Sequence, residues 1–94
     1  MSQAVYINAK VRVGNVVVTQ GALDLDPDEV FEALLRHMCG DWGTVDEEDW
    51  NANDESLKFA ARILSAYVDR RGEKFWIITE ADRSATTILR PEEY

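Results

Sequence analysis

A chain of 94 residues, 46% hydrophobic and 10% aromatic, has apolar material for one core but not for two, so residues 1–94 are read as a single domain. No apolar run approaches the ~20 residues that cross a bilayer, the N-terminus lacks a basic start and an apolar stretch, and the single cysteine, Cys39, has no partner for an internal disulfide; a cytoplasmic setting away from membranes is expected. The formal charge of −8 is concentrated in residues 24–55, where twelve carboxylates face one Arg36, and a field of that sign repels phosphate backbones and favours a basic protein partner over nucleic acid.

In chain order, Val5, Ile7, Ala9, Val11 and Val13 alternate with Tyr6, Asn8, Lys10 and Arg12, the period of a half-buried strand. Gly14-Asn15 then separates this run from Val16-Val17-Val18-Thr19, a two-residue hairpin signal that predicts an opening antiparallel pair. After Gln20 to Leu23, Asp26-Pro27-Asp28-Glu29 reads as a helix start, with Asp26 at the N-cap, Pro27 at the first helical position and Glu29 at N3. Val30, Phe31, Leu34, Leu35 and Met38 form its apolar stripe, Arg36 and His37 complement the C-terminal dipole, and Gly40 ends it.

Asp41 to Thr44 is a loop by composition, and Asp46, Glu47 and Glu48 load the first turn of a second helix whose Trp50, Asn53 or Asp54, Leu57 and Ala61 share one face. Three β-rich segments follow, at 62–68, 74–79 and 86–89, joined by short turns that predict antiparallel pairing. The expected fold is α+β, in the order β-β-α-α-β-β-β, an antiparallel sheet of about five strands with two helices packed on one face.

Few motifs carry chemistry. Asp24-Leu25-Asp26-Pro27-Asp28 begins like a calcium loop, but its sixth position is Glu29 rather than glycine and its twelfth is Leu35 rather than a bidentate glutamate. His37 and Cys39 are too few ligands for a closed zinc site, and two positions apart at a helix end they diverge rather than pair as nucleophile and base. No metal and no cofactor is therefore expected. Gly-rich phosphate loops, a Gly-x-Ser-x-Gly elbow and a His-Glu-x-x-His helix are missing. The run Asp46 to Asp49 reads as a solvated face, as a cation or acid–base pair built on i, i+3 spacing, or as a carboxylate array imitating phosphates. Trp42 and Trp50 flank it as core anchors or as an aromatic contact for a partner.

Certain blocks are more distinctive: Gly40-Asp41-Trp42-Gly43, then Glu48-Asp49 and Asn53, Leu64-Ser65-Ala66-Tyr67, Phe75 through Ser84, Thr86-Thr87-Ile88-Leu89 and Pro91-Glu92-Glu93-Tyr94. In these, over residues 14–94, the chain resembles a family of small bacterial proteins described as plasmid-related. The resemblance implies a mobile-element neighbourhood and an accessory or anti-defence role, with no activity and no catalytic residue attached.

The leading expectation is a non-catalytic interaction module that presents Asp41, Trp42, Glu48, Asp49 and Asn53 to a basic protein surface. The competing one is a small enzyme or ligand-binding domain, in which Asp41, Glu48 and Asn53 converge with Glu80, Asp82 and Arg83 of the 79–87 hairpin on a polar pocket. A homodimer through exposed strand edges is a third reading.

Overall fold

In the computed structural model, which describes residues 8–94, strand β1 (Asn15–Val18) precedes helices α1 (Pro27–Met38) and α2 (Glu47–Phe59) and strands β2 (Ile63–Val68), β3 (Lys74–Thr79) and β4 (Ala85–Leu89). Single 3-10 turns lie at Gln20–Ala22 and Pro91–Glu93. The class is α+β, and the sheet has four strands in the order β1-β4-β3-β2.

The helices start where their capping residues place them. Asp26 accepts a hydrogen bond from the Asp28 amide at 2.9 Å, Pro27 opens α1, and Asp28 and Glu29 sit in its first turn. Asp46 accepts from the Asp49 amide at 2.8 Å to open α2, which ends at Ala60 in the left-handed region (φ 52°). From α1, Ala33 is buried and Val30 and Leu34 pack against a cluster that includes Leu25, Tyr67, Phe75, Ile77 and Ile88. Helix α1 thus covers the sheet face that carries Tyr67, Ile77 and Ile88.

The antiparallel part of the sheet follows the predicted strands and turns. Ile63 pairs with Thr79 and Val68 with Lys74 between β2 and β3; Trp76 pairs with Leu89 and Thr79 with Thr86 between β3 and β4. In β2 the alternation is clean, with Ile63, Ser65 and Tyr67 buried. On the opposite face the C-terminal segment folds back, placing the Tyr94 ring 5.6 Å from that of Trp76.

The opening hairpin and the five-stranded antiparallel sheet are corrected. Residues 1–7 of the predicted first strand lie outside the described residues, and 8–13 are irregular: the amides of Lys10 and Val11 both donate to the Met38 carbonyl at the end of α1. Strand β1 pairs in parallel with β4, with Val16 opposite Thr86 and Val18 opposite Ile88, so the sheet is mixed. Gly14 explains the difference. It adopts φ +60° with its Cα pressed on the Arg83 and Ser84 carbonyls of the β3–β4 turn, where any Cβ would collide, and so feeds Asn15 into the edge of β4 instead of reversing the chain. The irregular segment before it still buries Val11, which is 2% exposed beside Trp42 and Ile63, while Ala9 is exposed.

Helix α2 is also displaced from its expected place on one face beside α1. It runs along the outer edge of β2, where the Asn53 side chain takes the part of a neighbouring strand: its amide donates to the Leu64 carbonyl at 2.7 Å and its oxygen accepts from the Leu64 amide at 3.3 Å. The loop before α2 completes the cover, the Thr44 amide donating to the Ala66 carbonyl at 2.7 Å and the Ala66 amide to the Trp42 carbonyl at 3.2 Å. Asn53→Ala removes both edge bonds and leaves Leu64 unpaired under α2, with an expected loss of about 2 kcal/mol in chemical denaturation.

Candidate functional site

The segment that carries the acid is sorted by its neighbours. Arg70 holds Asp26 at 2.7 Å and Glu29 at 3.5 Å, Arg90 holds Asp24 at 2.8 Å together with Glu73 at 2.7 Å, and Arg36 holds Asp41 at 2.8 Å. The Arg36 hydrogen bond keeps the Asp41 carboxyl below the ordinary carboxylate range, and Arg90 does the same for Asp24. Arg70 and Arg90, from outside the acidic segment, therefore fold back onto its first part.

Helix α2 receives none of that compensation. Asp46 caps the helix, and Asp54 accepts the indole N–H of Trp42 at 2.9 Å. Glu47, Glu48, Asp49 and Glu55 are exposed, and among the described residues no basic side chain comes within ion-pair distance of them. Asp28 and Glu32 of α1 are unpaired too, but α2 holds the denser array. Glu48, Asn51 and Glu55 stand at i, i+3 and i+7, so they share the face opposite Trp50 and Leu57, which pack inward on Trp42 and Ile63. Phe59, 73% exposed, ends the helix.

The residues expected to meet a partner separate accordingly. Trp42 is 0% exposed and Asn53 6%, and both spend their polar groups on contacts within the fold. Trp42 lies edge-on to the His37 ring at 5.7 Å and ties α2 to the body through Asp54. Asp41 is a loop anchor: besides Arg36 it accepts the Gly43 amide at 3.1 Å, and its carbonyl accepts the Tyr67 hydroxyl at 2.7 Å. Glu48 and Asp49 remain exposed. Glu55 shares the face of Glu48 and Glu47 is exposed beside it; both lie outside the expected set, although helical spacing from Glu48 points to Glu55.

The hairpin residues sit elsewhere. Arg83, in the left-handed region at φ 62°, donates to the Ser56 carbonyl at 2.9 Å and the Ala61 carbonyl at 2.7 Å, capping the C-terminal end of α2. Glu80 lies 4.0 Å from Arg62, and Asp82 accepts the Ser84 amide at 3.0 Å in its own turn. Of the six side chains of the pocket reading, Asp41 is held by Arg36, Asn53 by Leu64, Glu80 by Arg62, Asp82 by its own turn and Arg83 by the end of α2, while Glu48 is exposed.

The one imidazole is sealed. His37 is 0% exposed; Nδ1 lies 2.6 Å from the Ser65 hydroxyl and Nε2 2.8 Å from that of Thr79, which is 2.7 Å from the Thr86 hydroxyl, which donates to the Val13 carbonyl at 2.8 Å. Because the last acceptor is a carbonyl, every proton is assigned in turn: Thr86 donates to Val13, Thr79 to Thr86, His37 Nε2–H to Thr79, and Ser65 to Nδ1. Burial first, and the charge of Arg83 second, lower the His37 pKa from 6.5 to about 4, which keeps the ring neutral. The dipole role expected of His37 is replaced by this buried one. Cys39 is exposed, so His37 cannot serve it as a base.

Among the described residues no group of three His, Cys, Asp or Glu side chains is placed to hold a metal ion, and no described helix is long and apolar enough to cross a membrane. Comparison with protein-family models, with curated proteins and with solved structures yields no match to this chain.

Proposed function

We propose that the protein is a non-catalytic interaction module whose recognition element is the exposed side of α2, with Glu48 and Glu55 on its outward face and Glu47 and Asp49 to either side of it, presented to a basic protein surface. One observation carries this reading: arginines pair with Asp24, Asp26, Glu29 and Asp41, whereas among the described residues no basic side chain pairs with Glu47, Glu48, Asp49 or Glu55. Four uncompensated carboxylates on a short helix repel one another, and a cationic surface relieves that repulsion while gaining steering from a distance. The helix is suited to the task because Trp42, Asn53 and Arg83 fix it to the body along its length. An accessory role in a mobile element, blocking a basic protein of the host, is the setting that the resemblance adds.

The test is capture of the partner from the native cell, followed by titration. Glu47→Lys, Glu48→Lys and Glu55→Lys in combination are expected to weaken binding by at least about tenfold while leaving the fold intact, since exposed substitutions away from caps and core change stability little. Raising salt from about 50 to 500 mM is expected to weaken the wild-type complex as well. An affinity indifferent to both treatments would overturn the proposal. If the bound surface is a nucleic-acid groove, duplex DNA competes for it.

A further inference from the structure

Strand β1 ends the sheet on the side away from α2, and among the described residues nothing gives it the protection that β2 receives from Asn53 and the Trp42 to Thr44 loop. The Asn15 amide donates to Ser84 and the Thr19 amide to Ile88, so odd-numbered residues of β1 bond to β4. The amides and carbonyls of Val16 and Val18 consequently point outward from the sheet. Edges of this kind are ordinarily blunted by lysine, proline, a bulge or an inward charge. Here there is no charged residue between Arg12 and Asp24, and the edge reads Val-Val-Val.

The side chains continue the same surface. Val16 is 44% exposed, Val17 48% and Val18 38%, and next to them Leu23 at 68% and Phe31 at 61% are among the most exposed large apolar side chains described. Val18, Leu23 and Phe31, with Leu34, line one apolar hollow between β1 and α1. An open backbone edge and an apolar groove thus lie side by side.

We infer that this edge is a self-association surface, on which a second copy of the chain pairs β1 with β1 antiparallel about a two-fold axis through Val17. This goes beyond the proposed role of α2 and does not depend on it. The occupant follows from register and charge. Outward groups at Val16 and Val18 are symmetric about Val17, so Val16 bonds both ways with Val18 of the partner subunit, and the reciprocal pair closes the interface. Antiparallel pairing also keeps Val16 and Val18 of both copies on the α1 face, where the two Leu23 and Phe31 patches flank the joint.

A copy carrying −8 is a poor partner for itself except where it carries no charge, and residues 13–23 are the longest stretch of the sequence without a charged side chain. In the resulting eight-stranded sheet the two β2 strands stand about 34 Å apart at ~4.8 Å per strand, with each α2 farther out, well beyond the Debye length of ~8 Å at physiological salt. The acidic faces are then held at opposite ends, both accessible.

The experiment is molar mass by light scattering and sedimentation across a concentration series, on wild type and on two variants. Val16→Pro deletes an outward amide without touching the ladder to β4, and Phe31→Asp charges the groove. The wild type is expected to pass from 10.7 kDa toward twice that mass with rising concentration, and more readily at high salt. Each variant is expected to raise the dissociation constant by about tenfold to a hundredfold, because two-fold symmetry removes each hydrogen bond or apolar packing partner from both copies at once. Far-ultraviolet circular dichroism checks that both variants remain folded, and Phe31→Asp, on an exposed helical position, stands in if Val16→Pro does not fold. A monomer at every concentration, or a dimer unchanged in the folded variants, overturns the inference. The salt response distinguishes this surface from α2, whose complex with a basic partner weakens as salt rises.

Discussion

Replacing His37 by leucine is expected to remove roughly 3 kcal/mol of stability at neutral pH, although the new side chain is apolar, of similar size and fully buried. The ring is the first link of a hydrogen-bonded chain that ends on the Val13 carbonyl. Leucine leaves the Ser65 hydroxyl without its acceptor and Thr79 without its donor, both in a site that water does not reach. A domain of this size holds about 5–10 kcal/mol in total, so the melting temperature is expected to fall by about 15 °C or more. Glutamine, which keeps a donor and an acceptor, should cost less than leucine despite being the more polar substitution.

The pH dependence gives the same side chain a second signature. The unfolded chain binds a proton at His37 as pH falls through about 6.5, whereas the native state resists until about 4. A depressed histidine pKa therefore contributes stability that is whole above 6.5 and is lost progressively between 6.5 and 4, up to roughly 3 kcal/mol at 1.36 kcal/mol per pKa unit. Asp24, Asp41, Asp69, Asp82 and Glu93, all held below their ordinary values, also lose stabilisation in acid, at lower pH. That loss is common to wild type and to His37→Leu. The difference between the two proteins in urea denaturation should thus shrink between pH 7.5 and pH 4, and a difference constant with pH would refute a neutral buried His37.

Local signals made much of this fold legible. Asp26 caps the helix it was expected to cap, Asp46 takes the N-cap of α2 one step ahead of the first turn expected for it, and the alternation in 62–68 and 74–79 yields the antiparallel strands, because caps and periodicity are set by residues close in sequence. The hairpin reading of Gly14-Asn15 failed on a contact nearly seventy residues away, the approach of Gly14 to the Ser84 carbonyl, which no local pattern announces. The same holds for the site. Twelve acids were visible in the sequence, but which of them remain uncompensated depends on where Arg70 and Arg90 return to the fold. Asn53 and His37 were polar residues on helices with apolar stripes, and in each case the partner was a strand on the far side of a turn or loop.

The blocks that carry the resemblance read differently once their contacts are known. Gly43 (φ +74°) lies so close to the Ala66 carbonyl that a Cβ would collide with it, Arg83 caps α2, and Glu93 bonds Thr19 at 2.7 Å and the Gly21 amide at 3.0 Å. These residues are placed by the requirements of packing and chain reversal. Of the residues in these blocks, Glu48 and Asp49 are exposed on α2 without such a contact among the described residues.

Trp42→Ala tests that division most severely, with an expected loss of about 4 kcal/mol for a fully buried indole. Trp42→Phe retains most of the packing against Ile63 and His37 and gives up the N–H to Asp54, for an expected cost of about 1–2 kcal/mol. The two variants also separate scaffold from recognition. In both, the exposed Asp54 loses the indole hydrogen bond, yet only the alanine variant frees the body of α2 from its seat. If binding to a basic partner depends on a fixed array of charge, Trp42→Phe keeps its affinity and Trp42→Ala, measured under conditions where it is still folded, loses it. If binding depends only on the number of negative charges, both variants bind as the wild type does, and α2 is then a carrier of charge whose orientation does not matter.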